Sequence, residues 1–438
     1  MTLSSLLHLV VRQAPRLLPV SLAFLAVAGL SAPLVQAELV PGPTTLSLIQ
    51  TNGLLQLSWP VRSVITNAGR TPIYPAYVVQ ASTDLTYWWD TRVVLPQRVG
   101  GPAFLFQTNL APVPFLPIVF LRVRSELNLA GQDFSDADFR GVDFSGANLA
   151  GSRFDRALLA GTRFDGARLD GASLASAQAA GATFHDARVA SFVATGADLS
   201  GTGWLRVVLD GVDFTDARLG GVDWSSHSLV GTKLVRATLT GATLNGATLT
   251  QAQFTGVLAA DAYFRDVKAA GLVATGGDFR RTFWDRADLN GARFDNADCT
   301  GADFNQANLT SASGNRTRFT DGKFNDTVLN SGQFEQADFT NGYFSGSQVG
   351  HTSFRSGNLH SVDFEDVSGE YADFYGATLT ECVIRESDFS VSDFRTANLT
   401  DGQLERSDFR FCDFRGANMS DVDAIFCDFT GAQFWGLF

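Results

Sequence analysis

The stretch Ala137-Asp138-Phe139-Arg140-Gly141-Val142-Asp143-Phe144-Ser145-Gly146-Ala147-Asn148-Leu149 states one theme three times: a small residue, an aspartate or asparagine, then a large apolar residue. Counting by fives from Leu129 to Phe434 gives 62 positions with no insertion or deletion, and nearly all of them are apolar. The positions two before this beat, such as Ala147, Ser152, Ala157, Thr162 and Ala167, are nearly all small. A period of five fits neither the helical nor the strand repeat. It fits a solenoid, in which each short repeat buries its apolar residue only by stacking on its neighbours.

A second period of twenty lies inside the first. Leu129, Leu149, Leu169, Val189 and Leu209 form an aliphatic column, which turns to Phe389, Phe409 and Phe429 near the end. Fifteen residues on, Phe144, Phe164, Phe184, Trp204, Trp224, Phe264, Trp284 and Phe304 form a mostly aromatic one. Four such columns, alternately rich in aromatic and aliphatic residues, predict a four-sided coil of twenty residues whose axis is filled in layers.

Segments such as Ala137-Asp138-Phe139, Ala147-Asn148-Leu149, Ala302-Asp303-Phe304 and Ala397-Asn398-Leu399 resemble the A(D/N)LXX motif of pentapeptide-repeat proteins. The resemblance implies an all-β fold, a right-handed quadrilateral β-helix of about 15 coils over residues 126–438, with the beat residue and the one two before it pointing inward. At about 4.8 Å per coil it would be roughly 75 Å long. The exceptions fit this expectation. Ala194 and Ala274 are too small for the beat, but Phe192 and Leu272, two before them, are too large for theirs, so the paired volume is kept. Gly314 and Gly369 have no such compensation, and thinning or a bend is expected there. His227, at a normally small inward position, is read as a hydrogen-bonded core histidine.

Residues 1–37 read as a secretory signal peptide: Arg12 and Arg16 precede an apolar run from Leu17 to Leu30, and Val35-Gln36-Ala37 suits cleavage before Glu38. The alternative is an uncleaved anchor, for which about 19 apolar residues would just span a bilayer. Export to the periplasm, the extracellular space or the cell surface is expected, with no membrane span after removal of the leader. Residues 38–45 form a Pro/Gly linker. Residues 46–125 contain strand-like runs at 55–59, 77–80, 92–95, 103–106 and 118–121, the first ending at Pro60, and suggest a small antiparallel sandwich. Leu57-Ser58-Trp59-Pro60, Gln80-Ala81-Ser82-Thr83-Asp84-Leu85 and Phe120-Leu121-Arg122 resemble bacterial fibronectin-type-III-like modules. Such a module would cap the first coil.

Charge sets further limits. Residues 126–438 carry 42 acidic and 25 basic residues, so the net negative charge of the chain sits on the solenoid. The pentapeptide-repeat resemblance raises imitation of DNA by inhibitors of type II topoisomerases. Averaged over the rod, however, the net charge is about one per 4.4 Å, against about one per 1.7 Å in duplex DNA. No acidic residue lies between Asp223 and Asp261. The average therefore argues against nucleic-acid imitation and for acidity as a solubilising surface.

No catalytic, cofactor-binding or metal-ligating constellation is found. The glycines fall at one repeat position and serve corners, and Asp133, Asp138 and Asp143 recur with the repeat as corner hydrogen-bonders. Cys299, Cys382, Cys412 and Cys427 occupy inward positions, with no two separated by twenty residues, and read as core residues. One surface feature stands out. Tyr371, Val391 and Phe411 recur at twenty-residue spacing where polar residues or glycine are usual, with Phe426 and Trp435 near the same end and Arg395, Arg410 and Arg415 interleaved. Aromatics beside arginine suit recognition of a protein or cell-surface partner. The expectation is a secreted, non-enzymatic scaffold or interaction rod, with a homodimer through the C-terminal coil as one arrangement. The alternatives are a cytoplasmic DNA-mimicking topoisomerase (gyrase) inhibitor and a calcium- or glycan-binding surface adhesin.

Overall fold

The computed structural model describes residues 129–436 in full and, before them, the backbone of nine strands between Leu25 and Glu126. The chain forms two units. In the first, β1 (Leu25–Ala28), β9 (Ile118–Glu126), β5 (Ala76–Ser82) and β6 (Trp89–Val94) lie side by side in one antiparallel sheet. A second antiparallel sheet has the order β2 (Gln36–Leu39), β3 (Thr44–Thr51), β4 (Leu54–Val61), β8 (Phe104–Leu110) and β7 (Gln97–Arg98). All five runs read as strands overlap these elements. Pro60 does not end β4, which continues to Val61. Beyond Ser58 the strand pairs only with β8, so one side is free of ladder bonds and the missing N–H of proline is tolerated. The expected capping of the first coil lies outside the described residues.

In the second unit nearly every outward residue whose number ends in 3 or 8 faces its counterpart twenty residues on in a parallel bridge, Val208 being an exception. Asp133 meets Arg153, Asp138 meets Leu158, Arg163 meets Thr183 and Arg168 meets Arg188, which gives four ladders per coil. At one corner the bridges lengthen into three-residue strands, β10 (Asp363–Glu365), β11 (Val383–Arg385), β12 (Gln403–Glu405) and β13 (Asp423–Ile425), paired in parallel in that order. Among the described residues there is no helix, and therefore none long and apolar enough to cross a membrane.

The hydrogen bonds explain the motif. The beat N–H reaches the carbonyl nineteen residues ahead, as Phe134 to Arg153 at 2.7 Å, and the outward N–H reaches back twenty-one, as Arg153 to Gln132 at 2.9 Å. The corner N–H of Gly131 bonds Ala150 O at 2.8 Å, and the small inward residue closes the turn, as Ala137 N–H to Phe134 O at 3.2 Å. One N–H per repeat is left without a backbone acceptor, and the aspartate or asparagine supplies one. Ser135 N–H donates to Asp133 Oδ1 at 3.0 Å, Arg140 to Asp138 at 3.2 Å and Ser145 to Asp143 at 2.9 Å. Where an Asx side chain stands there, it pairs a backbone N–H that the coil-to-coil ladder leaves over.

The residue after this N–H has positive φ, so glycine recurs there; Gly141, at φ 68°, is one example. Where arginine takes the corner one coil after an aspartate, it forms a two-pronged bond to it: Arg156 to Asp136, Arg236 to Asp216 and Arg286 to Asp266, each with a 2.7 Å ion pair.

Inside, aromatic rings stack along the axis. Phe184 lies on Trp204 at 4.2 Å, and Phe374, Phe394 and Phe414 continue another column at 4.8 and 4.9 Å. Phe192 and Ala194 are both fully buried, as are Leu272 and Ala274, so the exchanged volumes do fill the core. At the two lone glycines the space is filled from the next coil. A Cβ on Gly314 would lie 2.8 Å from Phe334 Cδ1 and 3.0 Å from Phe319 Cε2, and the Phe389 ring occupies the corresponding place beside Gly369. The expected thinning is therefore absent: a neighbouring phenylalanine supplies the missing volume. His227 is hydrogen-bonded at both ring nitrogens, Nδ1 with Ser225 O at 3.0 Å and Nε2 with Trp204 O at 2.6 Å.

Candidate interaction surface

Tyr371, Val391 and Phe411 stand in one column at a single corner. The N–H of each reaches the next coil, from Tyr371 to Ser390 O at 3.1 Å, Val391 to Arg410 O at 2.8 Å and Phe411 to Thr430 O at 3.0 Å. They are 54%, 43% and 61% exposed. Their corner is the positive-φ position, with φ of 60°, 62° and 60°. Along the same column the earlier occupants are Gly271, Gly291, Ser311 and Ser331. A β-branched or bulky residue in this left-handed region is strained, because its Cβ crowds the following carbonyl. His351 precedes the stripe in the same column, its ring stacked on Tyr371 at 4.8 Å and 5°.

The arginines do not present free charges. Arg395 pairs with Asp393 at 2.6 Å and Arg415 with Asp413 at 2.6 Å. Arg355 pairs with Asp373 at 2.9 Å, and the guanidinium groups of Arg355 and Arg395 lie 4.6 and 5.3 Å from the centre of the Tyr375 ring. Arg410, next to Phe411 in the chain, is held by Asp408 at 2.5 Å and lies 3.9 Å from Asp428. These bonds lower the Asp408 and Asp413 carboxyls below the usual range, first through the arginine hydrogen bond. Trp435, 76% exposed, follows Arg415 in its column, and its carbonyl accepts from Gly416 N–H at 2.8 Å. Phe426 is 81% exposed with φ 56°, but it occupies a different corner from Phe411. In the last described coil the beat residues lose their cover: Met419 and Phe429 are half-buried, Ala424 is exposed and Phe434 is 40% exposed, whereas the beat residues before them are buried.

Among the described residues no group of three or more histidine, cysteine or carboxylate side chains converges as a metal site. Cys299, Cys382 and Cys412 are buried free thiols, and burial pushes Cys382 and Cys412 up to about 12. Two features escaped the reading of the sequence. One is the corner Arg–Asp ladder, which the twenty-residue spacing would have revealed. The other is a relay in the core: Trp204 Nε1–H donates to Thr202 Oγ1 at 2.7 Å, and Thr202 donates to Leu199 O at 2.6 Å. Trp284, Thr282 and Phe279 repeat it at 2.9 and 2.6 Å.

Family models for "Pentapeptide repeats (8 copies)" match residues 125–159, 152–189, 228–271, 274–310, 292–331 and 397–436, and one for a "Pentapeptide repeat region" matches 317–394. No curated protein matches the chain. Among solved structures, a pentapeptide repeat protein of the Arabidopsis thaliana thylakoid lumen is similar at 31% identity, covering 23% of this chain and 67% of that one, with a TM-score of 0.18. HetL, a pentapeptide repeat protein involved in heterocyst differentiation regulation from the cyanobacterium Nostoc sp. strain PCC 7120, is 19% identical over 47% of this chain and 87% of its own, with a TM-score of 0.23. Full-length QnrB1, a plasmid-mediated fluoroquinolone resistance protein, is 15% identical over 50% of this chain and 93% of its own, with a TM-score of 0.19. The repeat, its register and the family models agree: the chain belongs to the pentapeptide-repeat family.

Proposed function

We propose that this chain is an exported, non-enzymatic interaction rod that engages a protein partner through its C-terminal coils. In this reading residues 1–37 are a cleaved leader, whose removal takes β1 and the first half of β2 from the edges of the two sheets, 46–125 a small sandwich of the fibronectin-type-III-like kind, and the solenoid a right-handed quadrilateral helix of about 15 coils. The observation that carries the reading is the corner stripe Tyr371, Val391 and Phe411. Three apolar side chains are held exposed in a backbone conformation that disfavours them, which the fold itself does not require. A second copy meeting the last coil, where Phe434 and Trp435 are exposed, is the proposed dimer. Sedimentation across a concentration series tests it. Dimer formation lost in Phe434→Asp is expected, and a wild-type monomer at every concentration would remove it.

A second reading rests on how charge is distributed. Residues 361–436 hold sixteen acidic and five basic residues, a net charge of −11. At about 4.8 Å per coil they span roughly 18 Å, so the local density is about one net charge per 1.7 Å, that of duplex DNA. The average over the rod conceals this. In that reading the chain is a cytoplasmic DNA mimic offered to a basic surface such as that of a topoisomerase. Cell fractionation with N-terminal sequencing separates the two: a chain beginning at Glu38 outside the cytoplasm supports the first, and an intact Met1 in the cytosol supports the second.

A further inference from the structure

Resting on the reading that the C-terminal coils bind a protein, we propose that the His351–Tyr371–Val391–Phe411 corner docks a basic amphipathic α-helix of the partner, laid along the solenoid axis. The ridge offers one side chain per coil, a step of about 4.8 Å. A helix offers one side chain per turn on a given face, a step of about 5.4 Å, so two turns and two coils differ by only about 1 Å. An extended strand repeats a face every ~6.7 Å and falls out of step after a single coil. The apolar face of a helix therefore interdigitates with three successive rungs.

The two flanks of the ridge differ in charge, and this selects the occupant. On one side Asp373, Asp393 and Asp413 are each paired with an arginine. That flank is neutral. On the other, Asp388, Asp408 and Asp428 stack one coil apart, bridged in parallel, and Arg410 pairs with the latter two. That flank is acidic and calls for lysine or arginine on one edge of the helix. The same charge disfavours the other occupants. A second copy side by side would bring two carboxylate columns together, and nucleic acid or an anionic membrane would meet like charge.

The test uses the full chain and two fluorescent peptides of about 14 residues, long enough at ~1.5 Å per residue to pass the ridge. Both contain only leucine and lysine in equal proportion. One places leucine at i, i+3, i+4 and i+7, and the other scrambles these positions. Anisotropy titrations are expected to show the amphipathic peptide binding at least tenfold more tightly than the scrambled one. Phe411→Asp and Val391→Gly should each lower its affinity tenfold or more. Glycine suits φ 62° at position 391, so the second variant stays folded and only the ridge is lost. Asp388→Asn with Asp428→Asn should weaken binding and flatten its salt dependence. Equal binding of both peptides, or binding indifferent to Phe411→Asp and Val391→Gly, overturns the proposal. So does a wild-type chain that ignores both peptides while self-associating through this corner. Photo-crosslinking from residues 371 and 411 in the native setting separates this failure from that of the underlying reading. Adducts there without peptide binding refute the helix alone, and no adducts refute both.

Discussion

Val222→Thr should stabilise the solenoid, although it places a hydroxyl in a fully buried core. Trp204 and Trp284 each donate their ring N–H to a threonine two residues earlier, and each threonine donates its own O–H to a carbonyl. Trp224 occupies the same column, but Val222 stands where the threonine should be, and Trp224 Nε1 is buried without a hydrogen-bond partner. An unmet buried donor costs about 1–3 kcal/mol, and a net hydrogen bond contributes about 1 kcal/mol. The control is Val212→Thr, at an equally buried inward position beside Phe214, which has no ring N–H to satisfy. In both variants the new hydroxyl reaches a carbonyl, so their difference isolates the indole bond. Urea unfolding followed by tryptophan fluorescence should place Val222→Thr about 1 kcal/mol above Val212→Thr, while Thr202→Val and Thr282→Val each lose about 1–3 kcal/mol. If Val222→Thr falls below the wild type by as much as Val212→Thr, the relay contributes nothing and the argument fails.

Other consequences are as direct. Gly369→Ala should destabilise by about 1–3 kcal/mol through overpacking against Phe389, and Phe389→Leu in the same chain should recover part of it; a neutral Gly369→Ala would show that the ring is free to move. Burial raises the Asp363 carboxyl above its ordinary value of 3.8, and its Oδ1 has no hydrogen-bond partner. The folded chain therefore holds this proton more tightly than the unfolded one. The resulting stability is present below about pH 4 and is lost as pH rises through the raised value. Asp363→Asn should accordingly raise the thermal midpoint at pH 7 and leave it unchanged at pH 3; equal effects at both would refute the assignment. The native chain should react with a thiol reagent first at Cys427, which is half-buried, and at Cys299, Cys382 and Cys412 only after unfolding, as peptide mapping of the adducts would show.

Most of the solenoid was legible because its physics is periodic. One beat every five residues, uninterrupted from Leu129 to Phe434, fixes which side chains point inward, and the structure buries nearly all of them. The compensations at Phe192 and Leu272 could be read because the exchanged volumes lie two residues apart. Those at Gly314 and Gly369 could not, since the filling rings belong to residues five and twenty positions away, and only a packed core reveals where a ring swings. The surface was partly legible. The recurrence of Tyr371, Val391 and Phe411 was visible, but their strained φ required combining it with the glycines of the same column. The arginines interleaved with the aromatics could be placed from the sequence, but not their pairing, each with an aspartate within the same or an adjacent coil. Charge averaged along the rod hid the acidic C-terminal section, because density depends on the length over which it is taken.

The measurement that bears most directly on the central claim is site-specific photo-crosslinking in the producing cell, with benzoylphenylalanine at position 371 or 411. The comparison is the same corner at Ser191 and Gln251, also positive-φ positions at 56° and 60°, in a section of lower charge. Discrete adducts of defined mass from 371 and 411, absent from 191 and 251, are the predicted result. Adducts distributed equally over all four positions, or from none, would contradict an interaction rod that works through its C-terminal coils.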